Sequence, residues 1–277
     1  MSDDQWREAI KQAESLADIE LVFRQLWPSC FPKPFRKPLF DFPDVVIHAT
    51  ETAVKKHPCY KDAKAGDEDS SATLVEDTLN MEAVDSLRVF LRNRRPILIS
   101  AHAMEGEGVN AIPEAFAEML SAELHLQVES GIVQINTVGH TGANGFARLA
   151  RQPIFEGDVT EGQDYLMVDD FVGMGGTLAN LKGYLEHKGG VVIGATVLTG
   201  KPYSAKIALE RSMLYELREK HGNELESWWQ KRFGHTFDCL TQSEARYLFK
   251  TPDADTIRNR IIASEQEGNR GGSTKEN

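Results

Sequence analysis

Three observations predict an α/β fold with a mostly parallel sheet flanked by helices. Apolar runs of strand length recur between residues 96 and 197 and alternate with amphipathic stretches. These runs are continuous, as expected for strands covered on both faces. One of them ends in a carboxylate pair and a glycine-rich turn, at the position where open α/β sheets bind ligands. Helical segments at both ends of the chain flank this core.

Taken in order, residues 3–27 read as helix, with Trp6, Ile10, Ala13 and Ala17 at helical spacing. Pro28, Pro32, Pro34, Pro38 and Pro43 then keep the chain in an ordered arm or linker. Val45–Ile47 reads as a short strand and 57–67 as a polar helix or turn. Residues 72–93 form a helix, with Met81, Val84, Leu87 and Leu91 on one face. A buried strand follows at 96–101, then a glycine-containing loop over 102–110. Pro113 fits the first turn of the next helix, whose apolar face carries Phe116, Met119 and Leu120. A second strand is expected over 131–138. After a long connection, a third covers 165–168 and is followed by a helix over 177–188 that stops at Gly189-Gly190. The last strand spans 191–197. From Ser204 onward the chain reads as helix, with Thr241-Gln-Ser-Glu244 forming a capping box. Trp228, Trp229 and Phe233 belong to a core cluster, and 264–277 has the composition of a disordered tail. This gives an N-terminal helical or hood region (1–94), an α/β core (95–200), a C-terminal helical segment (201–263) and a tail.

The chain has 277 residues and a net charge of −11, which argues against non-specific nucleic-acid binding. An apolar fraction of 41% suits a folded soluble protein. No apolar run approaches membrane-spanning length. Cys30, Cys59 and Cys239 are far apart, which suggests reduced thiols in a cytoplasmic protein.

The chemistry concentrates in 165–178. The run Tyr165–Val168 ends in Asp169 and Asp170. Gly173, Gly175 and Gly176 let the backbone turn sharply with no Cβ to block a ligand. Thr177 opens a helix, and amides of such a turn at a helix N-terminus suit a phosphate. The composite reads as a sugar-phosphate holder, with carboxylates for hydroxyls or a metal and amides for phosphate. A dinucleotide fingerprint fails because Leu178 stands where its third glycine belongs, and no Walker Gly-Lys-Ser/Thr occurs.

The segment Val168-Asp-Asp-Phe-Val-Gly-Met-Gly-Gly-Thr177 resembles the phosphoribosyl-pyrophosphate (PRPP) loop of type I phosphoribosyltransferases. That resemblance implies a type I core over roughly 95–200. Asp169 and Asp170 would hold the ribose hydroxyls, and Gly173, Met174, Gly175, Gly176 and Thr177 the 5′-phosphate. Gly173 and Met174 stand where the family usually has small or hydroxyl residues. It also implies a pyrophosphate loop at His102, Ala103, Met104, Glu105 and Gly106. This loop carries no Arg or Lys, so either Mg²⁺ is held here, with Glu105 joining Asp169 and Asp170, or the pyrophosphate is handled differently. A surface turn is the bland alternative. The long connection over 139–162 matches the family's mobile active-site loop. His140, Arg148 and Arg151 are its candidates for pyrophosphate contact, the two arginines projecting together on one helical turn. His57, Tyr60, Lys64 and Asp67 are chemically capable, but nothing assigns them.

The function implied is Mg²⁺-dependent transfer of a phosphoribosyl group from PRPP to a nucleobase-like nucleophile, with release of pyrophosphate. A non-catalytic PRPP- or nucleotide-binding protein on the same fold is the alternative. A homodimer or a protein partner fits either.

Overall fold

The structure, a computed structural model, describes residues 33–100, 104–105, 108–136 and 144–271. The expected helix at 3–27 lies outside them, as do His102, Ala103, Gly106 and His140.

After the proline-rich arm come β1 (Val46–Thr50), α1 (Glu51–Lys55), α2 (Tyr60–Lys64), α3 (Glu68–Thr78) and α4 (Met81–Leu91). The single helix expected over 72–93 is thus two. Asn80 divides them, because its side chain accepts hydrogen bonds from the Glu82 and Ala83 amides and starts α4 afresh. Next follow β2 (Ile97–Ser100), the hairpin β3 (Met104–Glu105) and β4 (Gly108–Val109), α5 (Ile112–Leu124) and β5 (Val128–Glu129). The chain continues through β6 (Val133–Gln134), α6 (Gly145–Ala150), β7 (Phe155–Glu156), β8 (Asp164–Val172), α7 (Gly176–His187) and β9 (Val191–Gly200). Helices α8 (Arg211–Phe233), α9 (Gln242–Phe249) and α10 (Ala254–Gly271) complete it.

Five strands form one parallel sheet in the order β1-β9-β8-β2-β5. The strand expected at 131–138 is not a member. Its place at the sheet edge goes to β5, which pairs Leu98 with Val128. The Glu129 carboxylate then accepts from the Gly131 amide and turns the chain away, leaving β6 to pair with β7 in a small antiparallel ribbon.

The sheet is covered on both faces. Helix α7 buries Leu178, Leu181 and Leu185 against Ile99, Tyr165 and Met167. Helices α3, α4 and α5 pack Leu74, Leu87, Phe116 and Leu120 against Leu98, Leu166 and Val168. The connection leaving β2 therefore returns over one face and that leaving β8 over the other. The boundary between β2 and β8 is the topological switch point, where a crevice opens at the strands' carboxyl ends.

A third core joins α8, α9 and α10 around Trp229, Phe237, Leu248 and Ile257. Trp229 is fully buried, as expected of a core cluster. Phe146 and Leu149 of α6 lie in the same core. Within the 139–162 connection, α6 thus packs its apolar residues against the C-terminal helices. Residues 264–271, expected as tail, continue α10, where Ser264 is buried and Glu265 accepts from Arg232. The capping box at Thr241 and Glu244 forms as expected.

Candidate functional site

Among the described residues, the last β2–β8 pair is Ser100 with Val168, whereas β9 follows β8 as far as Val172 with Gly200. Asp169 and Asp170 therefore lie on the strand itself, and not beyond its end as the apolar run suggested. They follow directly on Val168, the partner of Ser100 in β2.

The two carboxyls have different surroundings. Asp169 is buried and its Oδ1 accepts from the Asp170 amide at 2.8 Å. Burial first, and then the charge of Asp170, push its carboxyl well above the usual carboxylate range. Burial pushes Asp170 up too, but the Lys64 ammonium, 2.9 Å from Oδ2, and a hydrogen bond from Asn110 outweigh it. The pair titrates as a unit, with the Asp169 carboxyl held up and the Asp170 carboxyl held down.

The glycine turn is shaped by protein as well as by any ligand. Gly175 has φ +81° and caps α7, and a Cβ there would lie 2.8 Å from Ile207. A Cβ on Gly176 would lie 2.8 Å from Glu244 Oε1, and one on Gly173 would lie 2.7 Å from an Arg148 guanidinium nitrogen. The absent side chains therefore admit Ile207, Glu244 and Arg148. Glu244 is a buried residue at the first turn of α7, where a phosphate was expected, and Arg36 binds both its oxygens at 2.6 and 2.9 Å. Arg36 also donates to Asn180, which donates to the Pro153 carbonyl. Thr241 donates to the Met174 carbonyl. Thr177 is half-buried in the first turn of α7.

Beside the turn, Gly173, Met174 and Arg148 line a cavity of about 570 Å³. Lys55 follows β1, Lys201 and Tyr203 follow β9, and α9 contributes Arg246, Tyr247 and Lys250. The Lys55 ammonium stands over the Phe171 ring at 4.4 Å. Arg151 is not among the cavity-lining residues. It ends α6 with ψ 88°, so it leaves the helical turn that was expected to hold it beside Arg148.

Sequence reasoning left Lys64 unassigned and passed over Asn110, Arg36, Lys55, Lys201 and Arg246. One signal was available, the basic residues at the carboxyl ends of β1 and β9. The partners of Arg36 and Lys64 lie 208 and 106 residues away, a separation that no local pattern encodes.

For Mg²⁺, Asp169 and Asp170 supply the hard oxygen donors that the ion prefers. Among the described residues no cluster of three or more His, Cys, Asp or Glu stands ready for a metal. The donor set fits an ion held largely by substrate oxygens and water, with Lys64 balancing Asp170 in its place. Glu105 lies in β3.

No protein-family model matches the chain. It is 39% identical over 248 residues to Protein TraN of Escherichia coli, covering 89% of this chain and 55% of that protein. It is 40% identical over 145 residues to an uncharacterized protein of Haemophilus influenzae, covering 52% of this chain and 32% of that one. The chain thus spans about half the length of TraN and about a third of the second relative. Among solved structures, similarity is found to an adenine phosphoribosyltransferase, with TM-score 0.31, 12% identity and coverage of 45% of this chain and 71% of that one. The enzyme of the same name from Leishmania tarentolae gives TM-score 0.30 and 13% identity over 69% of this chain and 92% of its own. At that level of similarity the alignments assign no residue a role. Among the described residues, no helix is long and apolar enough to cross a membrane.

Proposed function

We propose that this chain binds PRPP and transfers its phosphoribosyl group to a nitrogen nucleophile, releasing pyrophosphate. The observation that carries the proposal is the placing of Asp169 and Asp170. They follow Val168, which pairs with Ser100 of β2 at the switch point, with a glycine-capped helix within a few residues. Asp169 and Asp170 take the ribose hydroxyls, and Asp170, whose charge Lys64 favours, accepts from one of them. The 5′-phosphate takes the Gly173–Met174 side of the turn, since Glu244 fills the side at Gly176. The nucleophile's nitrogen bonds to the sugar C1 as the C1–O bond to pyrophosphate breaks. Pyrophosphate leaves with the bonding pair, and the nitrogen's proton passes to solvent. The Asp170 charge favours the cationic character that develops on the sugar. Arg148, held against Gly173, lends its charge to the phosphate groups of PRPP. Mg²⁺, when bound with substrate, neutralises pyrophosphate charge.

A second reading, binding without catalysis, is favoured by one feature. Glu244 and Lys64 already place protein charges where phosphate and metal charges are expected.

Calorimetric titration with PRPP, with and without Mg²⁺ and with ribose 5-phosphate as control, tests the proposal. Mg²⁺-dependent binding of PRPP in preference to ribose 5-phosphate is expected. Binding of neither removes the transfer proposal and any PRPP-binding reading. Pyrophosphate release that requires an acceptor separates transfer from binding alone.

A further inference from the structure

His57, Tyr60, Lys64 and Asp67 of the N-terminal region are all chemically capable, and the fold separates them. His57 pairs with Asp77, and Asp67 starts α3 by accepting from the Ser70 amide. Tyr60 packs against the core beneath α3, α4 and α5. Lys64 reaches the acidic pair, with Nζ 2.9 Å from Asp170 Oδ2.

Helix α2 is five residues long, so the bonds around it, and not its own ladder, hold Lys64 in place. The Ala63 side chain is buried in the same core as Tyr60. Its carbonyl accepts from the Gly66 and Ala111 amides. Gly66, at φ +103°, reverses the chain directly after α2, and the Asp67 amide returns to the Asp62 carbonyl. Asn110 stands next to Ala111. Its Oδ1 accepts from the Ile112 amide, so its nitrogen is the side that donates to Asp170. The bond from Ala111 to Ala63 therefore ties Lys64 and Asn110 to one scaffold, and both converge on one carboxylate.

A lysine ammonium carries three N–H groups that point apart. Lys64 can hold Asp170 and donate to an oxygen beside that carboxylate at the same time. A carboxylate and an ammonium side by side match two hydroxyls on neighbouring carbons. One hydroxyl donates to the carboxylate, and its neighbour accepts from the ammonium. Both side chains keep part of their surface open to the crevice.

We infer that Lys64 is a sugar ligand and makes the site specific for an intact vicinal diol: it donates to one ribose hydroxyl while Asp170 accepts from the next. The inference rests on the ribose assignment of the acidic pair in the phosphoribosyl proposal, and adds to it a residue from before the α/β core. A sugar without the 2-hydroxyl leaves one of the two charged groups unmatched. A site built to bind a hydroxyl rejects the analogue that lacks it.

The test is calorimetry of the full chain with ribose 5-phosphate and 2-deoxyribose 5-phosphate, directly and in competition with PRPP. The phosphate and its charge are common to both sugars, so the ratio of their affinities reads the hydroxyl alone. Wild type should bind ribose 5-phosphate about tenfold or more tightly than the deoxy sugar, the scale of one charge-assisted hydrogen bond. Lys64→Gln should bring that ratio to about threefold or less. Lys64→Arg keeps the ion pair and with it the fold, but its planar fork takes both Asp170 oxygens. The ratio should fall there too, which keeps the test open if the glutamine variant does not fold. A wild-type ratio near one overturns the inference. Variants that lower both affinities equally and leave the ratio intact also overturn it, because Lys64 would then be only the counter-ion of Asp170. In both cases PRPP binding leaves the phosphoribosyl proposal standing. Binding of none of the three compounds removes that proposal and this inference with it.

Discussion

Lys64 Nζ lies 2.9 Å from Asp170 Oδ2, joining helix α2 to the second member of the acidic pair on β8. Both side chains are largely shielded, at 20% and 13% exposure, so the pair is more than surface decoration. It sets the charge of the site before any ligand arrives. Lys64→Met should cost about 1–3 kcal/mol by leaving a shielded carboxylate without its cation. Asp170→Asn should retain the fold and weaken PRPP binding. Chemical denaturation of both variants and the double variant measures the coupling. Unchanged PRPP affinity in Asp170→Asn would count against the ribose assignment.

Asp169 gives the site a pH signature. Its folded carboxyl is raised, by burial first and Asp170 second. Stability from such a group is full below the usual carboxylate range and is lost as pH rises through the raised value. Asp169→Asn has no proton to lose. The melting temperature of the variant minus that of wild type should therefore climb as pH rises from the ordinary carboxylate range through the raised value. A flat difference across that window would show that Asp169 ionises without penalty.

The Arg36–Glu244 pair holds the proline-rich arm, α9 and the glycine turn together, with side chains 1% and 3% exposed. Removing one partner strands a buried charge. Arg36→Met or Glu244→Gln should each destabilise by about 3–5 kcal/mol. Thermal or urea unfolding measures this, and a loss under about 1 kcal/mol would mean that water reaches the pair.

The glycines of the turn should separate by mechanism. Gly175→Ala forces a side chain into a left-handed position against Ile207, so it should destabilise by more than about 1 kcal/mol. Gly173→Ala meets only the movable Arg148 guanidinium and Phe171, so it should fold near normally while displacing Arg148. Melting temperature and PRPP titration, run on both variants, distinguish strain from site damage.

Arg148 and Arg151 are likewise separable. Arg148 lines the cavity and Arg151 does not. Arg148→Ala should slow acceptor-dependent pyrophosphate release by roughly tenfold or more, the loss of one charge-assisted contact, and Arg151→Ala should not. Equal effects of the two variants would restore the shared-face arrangement.

The sequence alone determined the buried strand at Tyr165–Val168, the acidic pair, the glycine turn, the helix after it and the capping box at Thr241. Each is a local signal: an apolar run, a glycine at positive φ, a side chain that reaches its own backbone. It misjudged 131–138, because apolar content marks strand propensity and cannot choose between a sheet edge and a separate ribbon. It missed the Asn80 cap inside an otherwise unbroken apolar periodicity. Tertiary structure alone decided what surrounds the pair. It brought Lys64 to Asp170, Arg36 to Glu244, and Arg246 and Lys250 of α9 to the cavity. These contacts join residues that are remote in the chain, and their partners are chosen by how the cores pack the helices, which no short window of sequence specifies.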